Sequence, residues 1–267
     1  MKAAERAPSG RSDRVRLDQL IVDRGLADTQ ARAQALLMAG QVRVGVADAA
    51  RTDGKPGDMV AARAEISLVE RAPFVSRGGE KLCGALEAFK LDPAGRICLD
   101  VGASTGGFTD CLLQRGARRV YALDVGRGQL AESLRVDPRV VSLERTHVRR
   151  LLSTDPERVR LPDPISLAVI DVSFISLTRV LDAVSSVMEP GGRIVAMVKP
   201  QFEASPGDAP GGVVRDPAVR AAAVARIRDH AAGLGLLIEG EVESSLVGPA
   251  GNHEVFLHLT LPAAAAR

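Results

Sequence analysis

Hydrophobic positions are organised differently on either side of about residue 79. In residues 16–39 they recur at helical spacing. Leu17, Leu20 and Ile21 share one face, and Ala33, Leu36 and Leu37 share another. Gly25 closes the first helix, Asp28 or Thr29 caps the second, and Gly40 ends it. Val42-Arg43-Val44 and residues 65–69 alternate as short strands, separated by Gly/Asp-rich turns over 45–58. A unit of about 55 residues is near the lower size limit for independent folding, so an appended module is expected.

Beyond residue 79, apolar runs and amphipathic stretches alternate. The pattern predicts helices over 80–89, 107–115, 128–134, 176–188 and 217–233. It predicts strands over 96–100, 120–124, 140–143, 166–170 and 193–198, a long loop over 200–215, and closing strands near 236–243 and 254–260. Alternation of this kind builds a doubly wound, largely parallel sheet with ligands at the carboxyl ends of its strands. Two closing strands with no helix between them imply one antiparallel strand. The expected fold class is α/β: a Rossmann-like sheet over 79–262, preceded by a small α+β domain over 15–70, a linker over 71–78 and a disordered polar tail over 1–14.

Composition narrows the setting. The 267 residues carry 35 Lys and Arg against 33 Asp and Glu, a balance that neither requires nor excludes a nucleic-acid partner. Cys83, Cys98 and Cys111 form no metal spacing and no disulfide framework, which favours a reducing compartment. No uncharged apolar segment reaches the roughly 18 residues of a membrane span, and the N-terminus lacks the apolar core of a signal peptide. A cytoplasmic protein without membrane contact is expected. Only five of the 35 basic residues are lysine: Lys2, Lys55, Lys81, Lys90 and Lys199. A lysine can give up its proton where an arginine cannot, so Lys81 and Lys199 draw interest, whereas Lys2 and Lys90 read as surface positions.

The most informative stretch runs from Ile97 to Thr109. An apolar strand ends in Asp100, passes through Gly102, Ala103, Ser104, Thr105, Gly106 and Gly107, and opens a helix at Phe108. Glycines there let a ligand approach the backbone at a helix N-terminus. A dinucleotide fingerprint would need glycine where Ser104 stands. An acid ahead of the loop repels pyrophosphate but suits a cationic, amine-bearing ligand. S-adenosylmethionine (SAM) has an ammonium, a sulfonium and no phosphate, so the loop points to a methyltransferase. Asp124, ending the next strand, is placed to bind ribose hydroxyls or to cap its loop. Thr146 is a candidate for the adenine side, or a plain surface residue.

Asp171 and Lys199 both follow buried-type strands at the sheet edge where catalysis occurs. With Lys81 and Glu254 they suggest a Lys-Asp-Lys-Glu set suited to methylating a hydroxyl. An alcohol must lose its proton as it attacks, and a crowded, desolvated lysine can take it. Amine methylation fits less well, because Asp171-Val172-Ser173-Phe174 lacks the proline pair of that chemistry. Ring-carbon methylation lacks a cysteine at this place. The four histidines form no metal or triad pattern, and no metal is expected.

The chain resembles the TlyA (haemolysin A) family of ribosomal RNA methyltransferases over nearly its whole length. Matching stretches are Val75 to Leu82, Asp100 to Thr109, Asp124 to Leu130, Asp171 to Leu177, Val198 to Glu203 and Gly211 to Val214. The resemblance implies an FtsJ-like SAM-dependent domain behind an RNA-binding module like that of ribosomal protein S-four. It implies 2'-O-methylation of cytidine ribose, with Lys81, Asp171, Lys199 and Glu254 as the tetrad and ribosomal RNA or ribosomal subunits as the partner of a monomer. Where the family has Ser-Arg at the second helix, this chain has Thr29-Gln30, and where it has Asn-Gly, this chain has Gly45-Val46. Arg16, Arg32 and Arg43 are the expected RNA contacts instead. Three other classes fit less well. A membrane-active haemolysin lacks a spanning or long amphipathic helix. An RNA-binding assembly factor with a vestigial SAM site is at odds with the complete tetrad. A nicotinamide dehydrogenase fails at Ser104.

Overall fold

A computed structural model describes residues 14–46, 50–69, 72–248 and 250–263. The expected tail lies outside it except for Arg14. The chain divides into two compact units, Met1–Arg71 and Ala72–Arg267.

In the first unit, α1 (Leu17–Asp23) and α2 (Gln30–Met38) pack through Leu17, Leu20, Ile21, Ala33, Leu36 and Leu37. Thr29 is the cap of α2, its Oγ1 accepting the N–H of Arg32 at 3.2 Å. Around the helices lie two antiparallel ribbons. One pairs β1 (Arg14–Arg16) with β3 (Met59–Ala61), and the other pairs β2 (Val42–Val44) with β4 (Ile66–Leu68). Neither β1 nor β3 was expected; their pairing with each other, Arg14–Arg16 against Met59–Ala61, makes them strands. The side chain of Asp18 is buried and gathers the unit. It accepts from Arg16 Nε and Nη2 (3.0 and 2.8 Å), Gln30 Nε2 (3.2 Å), Gln34 Nε2 (3.0 Å) and the N–H of Gln19 (3.0 Å). The bond to Arg16 is the chief reason its carboxyl lies well below the usual carboxylate range.

The second unit is a seven-stranded sheet. Its mutually parallel strands are β5 (Ile97–Val101), β6 (Arg119–Leu123), β7 (Val140–Leu143), β8 (Ile165–Ile170) and β9 (Met188–Val198). With β10 (Leu237–Glu243) and β11 (Val255–Thr260) the order is β10-β11-β9-β8-β5-β6-β7. All central pairings are parallel, and β11 runs antiparallel to both neighbours, as the paired closing strands implied. Parallel strands covered on both faces read as continuous apolar runs, and β5 is buried at every position. One face packs under α3 (Arg77–Ala88) and α4 (Gly107–Gln114), with Leu82, Leu86, Phe108 and Leu112 of the helices in one cluster with strand residues such as Cys98 and Val120. The other packs under α6 (Leu181–Ser185) and α8 (Pro217–Gly233) through residues such as Leu181, Val184 and Ile227. Ahead of α3, the carbonyl of Pro73 accepts from Gln114 Nε2 and the N–H of Val75 donates to Asp110, both on α4.

Two predicted helices are shorter than expected. That over 128–134 reduces to α5 (Glu132–Arg135), because Gly128 donates its N–H to Glu144 and Ala131 donates to the carbonyl of Thr105. That over 176–188 breaks into a 3-10 turn at Leu177–Arg179 followed by α6. The break follows from buried Glu203, which accepts the Leu177 N–H at 2.8 Å and the Ser176 hydroxyl at 2.7 Å. Glu203 belongs to α7 (Pro200–Glu203), one turn of helix inside the expected loop.

Candidate active site

Four loops meet at the carboxyl edge of the sheet. The loop after β5 turns sharply back on itself. Gly102 has φ +88°, and a Cβ there would collide with the carbonyl of Asp171 after β8, so only glycine allows the two strand ends to lie this close. Ser104 also has positive φ (48°), an uncommon state for a residue with a side chain. Its N–H donates to Asp124 Oδ2 at 2.8 Å. Asp124 Oδ1 accepts from the N–H of Gly126 at 2.6 Å, so the carboxylate is held by two backbone donors and still has lone pairs for a ligand.

These loops border two adjoining cavities. The first, about 430 Å³, is lined by Gly102, Ala103, Ser104, Thr105, Gly107 and Phe108, by Ser76, Arg77 and Gly78, and by all of Lys81, Asp171, Lys199 and Glu254. The second, about 610 Å³, shares Gly102, Ser104 and Asp171 and adds Asp124, Val125, Gln129, His147, Val148, Phe174 and Arg179 among others. An adenosyl group with an amino-acid tail has a bent shape that two joined cavities can take. Carboxylate and backbone acceptors suit its hydroxyls and its ammonium.

The four charged residues form two ion pairs. Lys81, from α3, bonds Glu254, just ahead of β11, and both are buried. Lys199, after β9, lies 2.6 Å from Asp171 Oδ1. That contact is close but poorly aligned, and the hydrogen bond of Lys199 goes to Ser173 Oγ at 3.0 Å. Each lysine thus has its own carboxylate, and all four charges line the same cavity.

Three expected ligand residues fall outside the cavity walls. Asp100 lies within β5 under α4, 0% exposed, with Oδ2 accepting from Thr109 Oγ1 at 2.7 Å and Oδ1 without a partner. Burial is the main cause that lifts its carboxyl to about 7. It supports the loop from below because side chains of successive strand residues alternate, and this one faces the helix rather than the strand end. Thr146 is buried with Oγ1 donating to the carbonyl of Glu144 at 3.0 Å, and its neighbour His147 lines the second cavity. Gly106 caps α4 from behind the wall, with φ +98°.

Some lining residues were not anticipated. Phe174 is 91% exposed with φ +65°, and its ring centroid lies 5.1 Å from that of Phe202. A hydrophobic residue after the Asp171 strand reads as core in one dimension, so only its place at the sheet edge distinguishes it. Cys98 and Cys111 are buried and burial pushes both thiols up to about 12, which leaves no reactive thiolate there. In the first unit, Arg32 and Arg43 are exposed, whereas two donors of half-exposed Arg16 are committed to Asp18. Among the described residues no helix is long and apolar enough to cross a membrane.

The FtsJ-like methyltransferase family matches residues 74–261. The 16S/23S rRNA (cytidine-2'-O)-methyltransferase TlyA of Mycobacterium tuberculosis is 49% identical over 250 residues, covering 92% of this chain and 90% of that protein. A solved structure described as a hemolysin, from Streptococcus thermophilus, superposes with a TM-score of 0.68 at 39% identity, covering 96% of this chain and 92% of that one. An S-adenosylmethionine dependent methyltransferase structure from Listeria monocytogenes shares the fold alone, with a TM-score of 0.52 at 14% identity over 69% of this chain and 98% of that one. With the glycine loop, the joined cavities and both ion pairs in one place, the chain belongs to the FtsJ-like methyltransferases and, among them, to the TlyA (haemolysin A) family of rRNA 2'-O-methyltransferases.

Proposed function

We propose that this chain methylates the 2'-hydroxyl of a cytidine ribose in ribosomal RNA, using SAM. The observation that carries the proposal is the convergence of Lys81, Asp171, Lys199 and Glu254 on the cavity lined by Gly102 to Phe108. The 49% identical relative named for this reaction supports the same substrate class. SAM, when bound, supplies a methyl group made electrophilic by its sulfonium. The chain supplies position and a route for the proton.

Asp124 and the loop over Gly102 to Thr105 hold the adenosyl and amino-acid portions across the two cavities. Lys199 takes the ribose hydroxyl proton at Nζ as the oxygen attacks, and Asp171 and Ser173 keep the amine aimed. A neutral lysine is required at that instant, which the pairing in the free protein must release when substrate arrives. Lys81 and Glu254, buried and paired, position the ribose and fix local charge. Phe174 offers an exposed aromatic face at the cavity mouth, suited to stacking an unpaired base. Arg32 and Arg43 give the first unit exposed cations for RNA phosphate, with a lesser part for Arg16.

Lys199→Ala tests this. Transfer of tritiated methyl to ribosomal subunits is expected to fall by about 10²–10⁴-fold, the usual worth of a general base, while calorimetric SAM affinity stays within about twofold. Lys199→Arg is expected to be as inactive, since guanidinium keeps its proton. Transfer at the wild-type rate by either variant removes Lys199 from the chemistry.

A further inference from the structure

The segment Gly211-Gly212-Val213-Val214 has no part in the chemistry above, yet it is anchored by a buried side chain. Asn252 is 2% exposed. Its Oδ1 accepts the N–H of Val214 at 2.9 Å, and its Nδ2 donates to the carbonyl of Gly212 at 2.8 Å. Both ends of the amide are engaged, so its orientation is determined by its partners.

Asn252 is also close to the catalytic wall. Asn252 and Glu254 are buried while His253 between them is exposed, the alternation of extended chain that puts the outer two on one side. Glu254 bonds Lys81 and lines the first cavity. The carbonyl of Asn252 accepts from Gly248, where an added Cβ would lie 3.0 Å from Glu254 Oε1. Arg77, another lining residue, donates to the carbonyl of Val247 at 2.9 Å. Asn252 is therefore where the 211–214 turn is tied to the wall that carries Glu254.

The outer side of that turn is bare. Gly211 and Gly212 have φ +65° and +77°, are exposed, and would meet nothing within 4 Å if given a Cβ. Exposed Arg215 follows, without a carboxylate partner among the described residues. An exposed guanidinium beside a bare turn, tied through Asn252 to the segment that carries Glu254, matches a sugar–phosphate chain. Arginine is a common donor to phosphate, and since the N–H groups of Gly212, Val213 and Val214 already donate to Ala209, Pro210 and Asn252, Arg215 is the donor that this turn presents.

We infer that Asn252 is a positioning residue that holds residues 211–215 as the RNA-side lip of the cavity, with Arg215 contacting phosphate beside the target ribose. The inference rests on the methyltransferase reading above and adds the surface that seats the strand.

The full chain tests it, with ribosomal subunits as methyl acceptor. In Asn252→Ala, hydrogen exchange over 211–215 is expected to rise and KM for the acceptor to increase about tenfold or more, with SAM affinity within about twofold of wild type. In Arg215→Ala, the slope of log affinity for the acceptor against log salt is expected to shrink by about one. Unchanged exchange, a loss confined to kcat, a parallel loss of SAM binding, or a wild-type salt slope in Arg215→Ala would overturn the inference. Should Asn252→Ala fail to fold, the exposed Arg215 variant decides alone. A wild-type chain that transfers no methyl to either subunit defeats the enzymatic reading instead, a distinguishable result.

Discussion

Among the described residues, each unit of this protein buries one carboxylate completely, and the two behave in opposite ways. Asp18 and Asp100 are both 0% exposed. Asp18 receives a two-point guanidinium, two side-chain amides and a backbone N–H, and its carboxyl is held well below the usual range. Asp100 receives one hydroxyl, keeps one oxygen without a partner, and is lifted to about 7. Desolvation opposes charge at both sites, so the number and charge of the donors decide the outcome. Asp18 serves as an ionised tie between β1, α1 and α2. Asp100, its carboxyl lifted to about 7, is a prop under the loop that lines the first cavity.

The largest expected effect lies at Asp100. Between about pH 4, where a carboxyl in the unfolded chain ionises, and about pH 7, the folded unit keeps a proton that the unfolded chain has lost. Its contribution to stability therefore falls across that window and levels off above it, by roughly 4 kcal/mol in all at about 1.4 kcal/mol per pH unit. Asp100→Asn should remove this slope, read as hydrogen exchange of the second unit's sheet in full-length protein from pH 4 to 8. An unchanged slope would mean that Asp100 is ionised throughout.

Next comes Asp18→Ala, expected to destabilise the first unit by about 3 kcal/mol through loss of its charge-assisted bonds. Exchange in α1 and α2 should accelerate while the second unit's sheet is unaffected. The sign of its pH dependence is opposite to that of Asp100. A depressed folded pKa makes Asp18 stabilising above about pH 4, and that contribution disappears as pH falls below it. The smallest change is Gln34→Ala, which removes one of five donors and should weaken the same unit by about 1 kcal/mol. An effect as large as that of Asp18→Ala would mean that the amides, not Arg16, hold the carboxylate.

The same contrast explains how much of the molecule was legible in one dimension. Long apolar runs such as Ile97–Val101 and Ile165–Ile170, and the helix at Pro217–Gly233, were readable because burial on both faces or one stripe leaves a repeating composition. The strands β1 and β3, the single turn of α7 and the broken helix at 177–185 were not, since tertiary pairings set them, as the bonds of Glu203 to Ser176 and Leu177 do for the last two. Asp171 and Lys199 could be picked out from residue type and strand-end position, and Lys81 and Glu254 from residue type and the family motif. Their division into Lys81–Glu254 and Lys199–Asp171 could not, because the partners stand 173 positions apart in one case and come from different strand ends in the other.

What residue order determines by itself is the alternating α/β architecture, the glycine loop after β5 and the types of charged group at the catalytic edge. These are local properties of periodicity and backbone freedom. The tertiary structure decides which charges meet, which are ionised, and which expected ligands turn inward, as Asp100 does. Charge in a protein interior depends on the donors that distant segments bring within about 3 Å, and those distances exist only after the chain has closed.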